Sequence, residues 1–199
     1  MKNVTKFLKG LVLGLLAVSL SNCDDNDDNV AIPTPITIAK IASSNSNFTT
    51  LVSALNKTGL TQTLNSPGNY TVFAPTNEAF NAFLADNGFA SLNDVPEDLL
   101  KQVLLNHVVN RKYFSSQLTT SYVKTLAKGD ASATNTLSLF IDTSSGVKLN
   151  GVATVTTPDL NASNGVIHIV DAVIGLPTIV THATANPNFS ILVAALTRT

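Results

Sequence analysis

The sequence predicts an α+β fold in which helices dominate the first half of the domain and antiparallel strands the second. Apolar residues recur at helical spacing between Ile38 and Leu104, and they alternate with polar residues from Ser121 onward. A change of hydrophobic period from 3.6 to 2 marks the change from helix to strand. Residues 37–177 are long enough to form one domain with its own core.

The first predicted elements are two short helices. Ile38 to Ser44 and Phe48 to Asn56 have helical spacing, and Gly59 supplies the stop. One face of the second helix is apolar and is expected to be buried. It consists of Phe48, Leu51, Val52 and Leu55.

A strand and two longer helices follow. Tyr70 to Ala74 is a predicted strand, after which Pro75 and Thr76 begin a helix whose threonine can cap free amides. In the next helix, Asp94 and Glu97 predict a start similar to a capping box. The expected apolar residues of the two helices are Ala79, Phe80, Phe83 and Leu84, then Leu99, Leu100, Val103 and Leu104, with His107 at the end.

The second half of the domain contains four runs with a period of two. The runs are VKTLA, TLSLFID, VKLNGVATV and GVIHIVDAV, and the turn-forming segments KGD, TSSG and NASNG separate them. Short strands with turn residues between them predict a mainly antiparallel sheet.

Three segments of this chain resemble the signature segments of the fasciclin domain. They are YTVFAPTNEAF at 70–80, LLNHVVN at 104–110 and NGVIHIVDAVIGLP at 164–177. The resemblance implies a fasciclin-like fold, a wedge or sandwich of two small β-sheets with helices along one edge, in which 70–74 and 166–170 are adjacent strands. The structural residues that it implies are Thr71, Phe73, Ala74, Pro75, Thr76, Phe80, Asn164, Gly165, His168 and Asp171.

The end of the chain repeats its beginning. Residues 178–199 align without gaps on residues 37–58, at an offset of 178 − 37 = 141, and eleven of the 22 positions are identical. A self-match at one domain length indicates a tandem repeat. We therefore expect 178–199 to be the start of a second, truncated fasciclin-like domain of a longer protein, the alternative being two similar amphipathic helices.

The first 22 residues have the pattern of an export signal. Three lysines precede a short apolar run, Leu11 to Leu20, which is too short to span a bilayer. LSNC at 20–23 resembles the lipobox of bacterial lipoproteins, with Asn22 where Gly or Ala is usual. Cys23 would then be lipidated and would anchor the protein in a membrane. The alternatives are an ordinary secretory signal or a buried thiol.

Residues 23–36 are expected to form an acidic, proline-spaced tether. DDNDDN follows the cysteine directly, and VAIPTPIT comes next. The acidic run resembles the export signal of surface-exposed lipoproteins of the Bacteroidetes, whereas an Asp at this place in enterobacteria is associated with inner-membrane retention. The cluster of four aspartates favours the outer-membrane surface of the cell envelope.

Composition narrows the choice of partners. The formal net charge of −1 and the lack of clustered cations argue against nucleic acid. Only 13% of residues are charged, against about 25% in typical soluble domains, which suits neutral or protein partners. The single cysteine excludes an intrachain disulfide.

No catalytic pattern stands out. The histidines, His107, His168 and His182, have no further zinc ligands at matching spacing. Nucleophile elbows, phosphate loops and dinucleotide-binding glycine patterns are absent from the sequence. We therefore expect a non-enzyme without metal or cofactor, the alternative being an enzyme in which His107 pairs with Asp171 as a base.

The binding hypothesis rests on Asp159 and Leu160. The segment TPDLNASNGVIH is similar to the PDI segment of matrix proteins of the transforming-growth-factor-induced and periostin type. The resemblance implies a contact role for Asp159 and Leu160, the latter in place of Ile. A second resemblance implies a contact role for His107, although this chain has Asn106 where those proteins carry Tyr. Alternatively, Pro158 and Asp159 only shape a turn before the last strand.

These observations predict a lipid-anchored surface protein whose fasciclin-like domains mediate adhesion to cells, matrix or polysaccharide, and self-association. Repetition of the domain would strengthen binding by raising effective concentration. The alternatives are a glycan-capturing lipoprotein for nutrient uptake and a scaffold subunit of an envelope complex.

Overall fold

The computed structural model describes residues 34–129 and 134–196, so the predicted export signal, Cys23 and most of the predicted tether lie outside the described residues. The helices are α1 (Ile38–Ser43), α2 (Thr49–Lys57), α3 (Thr61–Asn65), α4 (Asn77–Asp86), α5 (Glu97–Asn106), α6 (Ile179–Ala185) and α7 (Ser190–Leu196). The strands are β1 (Tyr70–Pro75), β2 (Val108–Val109), β3 (Ser121–Lys128), β4 (Thr136–Asp142), β5 (Lys148–Leu149), β6 (Ala153–Ala162) and β7 (Gly165–Val170).

Two predicted helix boundaries are confirmed by their hydrogen bonds. Helix α2 ends at Lys57, and Gly59 two residues later has a φ of 70°, the left-handed conformation that glycine adopts easily. The amide of Leu60 donates to the carbonyl of Leu55 at 2.9 Å, which is the Schellman pattern of a helix end. At the start of α4, the hydroxyl of Thr76 accepts from the amide of Ala79 at 3.3 Å.

The predicted capping box of α5 is wrong. Helix α5 starts at Glu97, after Pro96, and no side chain caps it. A residue before proline is kept out of the helical region, so Val95 is extended and the helix cannot begin further upstream. The carboxylate of Asp94 instead accepts from the hydroxyl of Ser91 at 2.8 Å. Leu99, expected on the apolar face, is exposed.

The described strands form one closed barrel in the order β1-β2-β3-β4-β5-β6-β7. Strands β1 and β7 are parallel and in register from Tyr70 with Gly165 to Pro75 with Val170, which confirms that the two signature segments lie side by side. The other strand pairs are antiparallel. The α+β class is therefore confirmed.

The two expected small sheets are instead continuous with each other. Strand β3 pairs with β2 along one edge and with β4 along the other, and β6 pairs with β5 and with β7 in the same way. Hydrogen bonding therefore passes from one half of the barrel to the other. Register shifts occur in both strands, between Lys124 and Lys128 in β3 and between Val155 and Leu160 in β6. Such irregularities bend strands and allow a small sheet to close.

The run VKLNGVATV, predicted as one strand, is a hairpin. Asn150 and Gly151 have φ values of 50° and 70°, and the amide of Val152 donates to the carbonyl of Leu149 at 3.0 Å. Asn-Gly is the sequence that favours this tight turn, because both residues tolerate positive φ. Strands β5 and β6 therefore pair with each other, Leu149 opposite Ala153.

Alternation along β1 and β7 separates two apolar clusters. Val72, Ala74 and Ile167 belong to the cluster packed against helices α1 to α5, which we call the helix-side core. Phe73 and Val170, from the alternate positions, belong to a second cluster built from the strands and their connections. Because successive side chains of a strand point to opposite faces, the same two strands serve both cores. No helix within the described ranges is long and apolar enough to cross a membrane.

Gly165 allows β1 and β7 to approach closely. A methyl group at this position would overlap the carbonyl oxygen of Tyr70 and contact the side chain of Ile38. Gly165→Ala should therefore lower the free energy of unfolding by at least about 3 kcal/mol, measured by urea denaturation.

Gly175→Ala is the matched control for Gly165→Ala. A methyl group at Gly175 meets nothing within 4 Å, so this variant should stay within about 0.5 kcal/mol of wild type. Equal stability of the two variants would contradict the close approach of the strands.

Candidate functional site

A bulge in β6 presents Asp159 at the surface. The pairing of β6 with β7 jumps from Thr157 opposite Ile169 to Leu160 opposite Ile167, so Pro158 and Asp159 together face one residue of β7. Proline cannot donate to the ladder, which favours a bulge at this point. Asp159 has a φ of 65°, a left-handed conformation that is uncommon for residues other than glycine. The predicted turn at Pro158 is therefore a bulge within the strand.

His168, on β7, supports this bulge from below. Its ring is buried, and its Nδ1 accepts from the amide of Asp159 at 3.2 Å. Its Nε2 lies 2.9 Å from the carbonyl of Tyr113, to which it donates. The ring also stacks on Phe73, with centroids 5.6 Å apart. Burial lowers the pKa of His168, so the neutral ring with its proton on Nε2 satisfies both partners.

The carboxylate of Asp159 is held but remains accessible. Its oxygens accept from the amide of Ser115 at 2.7 Å and from the hydroxyl of the same residue. Burial opposes ionisation, but the two hydrogen bonds from Ser115 keep the pKa of Asp159 below its ordinary value. The side chain is 35% exposed. A carboxylate has about four acceptor positions, so it can still bind a partner's donor.

The connection between β2 and β3 completes the surface beside the bulge. The ammonium of Lys112 donates to the side chain of Asn161 at 2.7 Å, and the amide of Tyr113 donates to the buried hydroxyl of Thr71 at 2.8 Å. The same hydroxyl donates to the carbonyl of Arg111 at 2.6 Å. Two segments, 112–115 and 156–161, are thereby joined into one surface, which we call the bulge surface.

The three predicted binding residues are not equivalent. Asp159 is exposed on the bulge surface. Leu160 is half-buried, because it packs on the helix-side core. His107 is only 2% exposed at the end of α5, so it has no surface with which to contact a partner.

His107 joins α5 to the segment after β7. Its Nδ1 donates to the carbonyl of Val103 at 2.7 Å, and its Nε2 accepts from the amide of Ile174 at 2.9 Å. Burial lowers the pKa of His107 to about 4. His107 does not pair with Asp171 as the enzyme hypothesis requires, because both of its ring nitrogens bind backbone groups. The carboxylate of Asp171 accepts from the amide of Thr154 at 2.6 Å.

The remaining family residues have structural positions. The side chain of Asn164 is buried and accepts from the amide of Ile38 at 2.9 Å. It also donates to the carbonyls of Leu64 and Ser66, both at 2.8 Å, so one amide fastens α1 and α3 to the hairpin before β7. The side chains of Phe73, Ala74 and Phe80 are buried.

A polar groove beside β3 was not predicted from the sequence. It has a volume of about 450 Å³ and includes Arg111, Tyr113, Tyr122 and Lys124 in its lining. The guanidinium of Arg111 lies 5.0 Å from the ring centre of Tyr113. The period of two in β3 predicts that Tyr122 and Lys124 point outward. It does not predict that Arg111 and Tyr113, from the connection before β3, lie beside them. Within the described ranges, no cluster of three or more His, Cys, Asp or Glu side chains could hold a metal ion.

Comparison with known proteins identifies related sequences over most of the chain. The Fasciclin domain family matches residues 46–177. Protein sll1483 of Synechocystis sp. is 35% identical over 173 residues, which cover 84% of this chain and 91% of that protein. Transforming growth factor-beta-induced protein ig-h3 of Sus scrofa is 30% identical over 150 residues, which cover 75% of this chain and 21% of that protein.

A solved structure is similar as well. It is a FAS1 domain pair from the insect cell adhesion molecule fasciclin I, which is 22% identical with a TM-score of 0.49. The similar region covers 75% of this chain and 52% of that one.

The pKa of His107 predicts a loss of stability at acidic pH. The pKa is about 4 in the folded protein against an ordinary 6.5, so between these values the unfolded chain binds a proton that the folded chain does not. The contribution is complete above pH 6.5 and is lost as the pH falls to about 4. This shift corresponds to about 3 kcal/mol in the free energy of unfolding, measured by urea denaturation.

His107→Gln tests the assignment. Its amide oxygen can still accept from Ile174 but does not titrate, so the variant should be less stable at pH 7 and should lose less stability on acidification. His182→Gln, at a partly exposed histidine, should keep most of the wild-type loss. An unchanged pH dependence in His107→Gln would contradict the assignment.

Proposed function

Because the chain belongs to the fasciclin domain family, we propose that it is a lipid-anchored adhesion protein of the cell surface that binds through its bulge surface. Fasciclin I, the insect protein that contains the FAS1 domain pair, is a cell adhesion molecule. The partner is a protein, a matrix component or a polysaccharide. A second copy of the domain is one of the protein partners that we propose.

The exposed, conformationally strained Asp159 carries this proposal. A left-handed φ at a residue other than glycine has an energetic cost, and such residues concentrate at sites of function. Here the cost is offset by the hydrogen bonds to His168 and Ser115. An aspartate that only formed a turn would not need a buried imidazole under its amide. The arrangement keeps a negative charge in one orientation at the surface.

The surrounding chemistry favours binding over catalysis. Among the described residues, the hydroxyl that contacts the carboxylate of Asp159 is that of Ser115, and it donates to the carboxylate. His168 has both ring nitrogens occupied by backbone groups, so it cannot serve as a general base without losing a hydrogen bond. A preorganised carboxylate in a weakly charged surface suits recognition of a cationic or hydrogen-bond donor group.

Glycan capture is the second candidate, and the groove beside β3 supports it. Tyr113 and Tyr122 supply aromatic surface, and Arg111 and Lys124 supply positive charge. The ammonium of Lys124 donates to the hydroxyl of Ser138 at 3.2 Å and to the carbonyl of Thr136, which also lines the groove, at 3.3 Å. Aromatic rings with cations beside them suit a saccharide that carries carboxylate or sulfate groups.

Asp159→Asn should weaken partner binding at least about tenfold without unfolding the domain, because it removes the charge and retains a residue that tolerates positive φ. The measurement is equilibrium binding of residues 24–199 to matrix proteins, polysaccharides and the protein itself. Asp86→Asn, which removes the same charge from α4, should bind as wild type.

The same panel separates the two candidates. If Asp86→Asn and Asp159→Asn bind every partner equally, the bulge surface is not the contact site. Saturable binding to an acidic oligosaccharide that Lys124→Ala weakens and Asp159→Asn does not would favour glycan capture.

Cys23→Ser should abolish membrane attachment if this cysteine carries the lipid. Cells fed a labelled fatty acid should incorporate label into the wild type and into Asn22→Ala, which restores a small residue before the cysteine. Label in Cys23→Ser, or retention of that variant in washed membranes, would rule out the anchor. The location at the outer-membrane surface is tested separately, by protease treatment of whole cells.

A further inference from the structure

The last described helices repeat the first ones in structure as well as in sequence. Helix α6, a 3₁₀ turn (Pro187–Phe189) and α7 follow the order of α1, a 3₁₀ turn (Ser46–Phe48) and α2. The caps also agree. The hydroxyls of Thr37 and Thr178 accept from the amide three residues later, at 3.2 and 3.1 Å. The side chains of Asn45 and Asn186 accept from the amide two residues later, at 2.9 and 3.0 Å.

Identical apolar residues have opposite burial in the two copies. In the first copy they belong to the helix-side core: Ile38, Phe48 and Leu51 are 1%, 0% and 5% exposed. In the second copy they face solvent: Ile179, Phe189 and Leu192 are 88%, 40% and 49% exposed. We call these three the exposed apolar face. A cluster of large apolar side chains at the surface indicates an interaction site.

The other side of the repeated segment contacts the barrel. The ring of His182 packs against Tyr122 with centroids 5.5 Å apart, and the side chain of Asn186 donates to the hydroxyl of Tyr122 at 3.1 Å. Ala185 lies against Gly151 in the turn between β5 and β6. Two of these positions differ from the first copy, which has Ile41 and Ser44 there. The repeat therefore keeps the apolar residues of one face, whereas two of the three residues that touch the barrel, His182 and Ala185, are changed and Asn186 is retained.

We infer that the exposed apolar face is the core-facing surface of a second fasciclin-like unit, whose first helices are docked on the first barrel at Tyr122 and Gly151. The partner is a polypeptide equivalent to residues 59–177, the helices and strands that cover Ile38, Phe48 and Leu51 in the first unit. The second unit is thereby held against the first by its own opening helix. This inference is independent of the bulge surface and of its partner.

Two other occupants fit less well. A membrane surface would require several cationic residues beside the apolar face, and residues 178–199 contain one Arg, Arg198, and no Lys. In a second copy of the chain, the site that accepts such helices is already filled by that copy's own residues 37–58. The identity of the two segments at the positions buried in the first unit favours a partner with the same fold.

The test extends the chain after Thr199 with a copy of residues 59–177. The extended protein should show two cooperative units in denaturant unfolding, and amides of 178–196 should become strongly protected from hydrogen exchange. Ile179→Asp should leave the unfolding midpoint of residues 24–199 unchanged, because the side chain is exposed. In the extended protein the same substitution should remove one unit and leave the other. Ile38→Asp, at the buried counterpart, should unfold the first unit in both proteins.

A graft tests the segment without adding a domain. Residues 37–58 of the chain are replaced by 178–199, with Ile41 and Ser44 retained on the other face. The graft should unfold in one cooperative transition, and a second graft carrying Ile179→Asp should not fold. The inference is overturned if the first graft does not fold and the extended protein shows no new protection at 178–196. Dimerisation or vesicle binding of residues 24–199 that Ile179→Asp abolishes would also overturn it, in favour of a second copy or a membrane.

Discussion

The parallel pairing of β1 with β7 is the contact on which the rest of the domain depends. It joins residues 95 positions apart in the chain, from Tyr70 with Gly165 to Pro75 with Val170, and it closes the barrel. The pairing requires glycine at its first position, since any side chain there would overlap the neighbouring backbone. Because β7 also pairs with β6, closure fixes where the bulge of β6 lies. The core and the candidate site therefore share one structural origin.

Two buried histidines use the same arrangement to connect backbone segments. In each, one ring nitrogen donates to a carbonyl and the other accepts from an amide: His107 links Val103 to Ile174, and His168 links Tyr113 to Asp159. Only a neutral imidazole can both donate and accept. Burial keeps the rings neutral by lowering both pKa values. A backbone amide that would otherwise be unsatisfied in the interior thus gains a partner, which avoids a penalty of about 1–3 kcal/mol.

The surface of the domain also has few charged groups. Few side chains are charged, and the carboxylate of Asp159 is oriented by Ser115 and by the backbone instead of by a basic side chain. A group held in this way loses little conformational freedom on binding, which favours affinity from a small contact area. Weak contacts of this kind gain strength from repetition of the domain, and the exposed apolar face of the last helices agrees with such repetition.

The sequence by itself determined the α+β class, the end of α2 before Gly59 and the start of α4 at Thr76. It also determined the adjacency of the signature strands and the internal repeat. These follow from local periodicity, from turn chemistry and from family motifs, which act over a few residues at a time. The Asn-Gly hairpin could also have been read from its dipeptide. The sequence indicated Asp159 as a binding residue, but it did not predict the bulge or the contacts of Asp159 with His168 and Ser115.

Only the tertiary structure decided that the strands close into a barrel, that His107 is buried while Asp159 is exposed, and that Pro158 and Asp159 form a bulge above His168. Each depends on contacts between segments far apart in the chain, such as Ser115 with Asp159 or Val103 with Ile174 through His107. Hydrophobic periodicity records which face of a strand or helix is apolar, but not which segment packs against it. For that reason the groove beside β3 and the opposite burial of Ile38 and Ile179 became visible only in three dimensions.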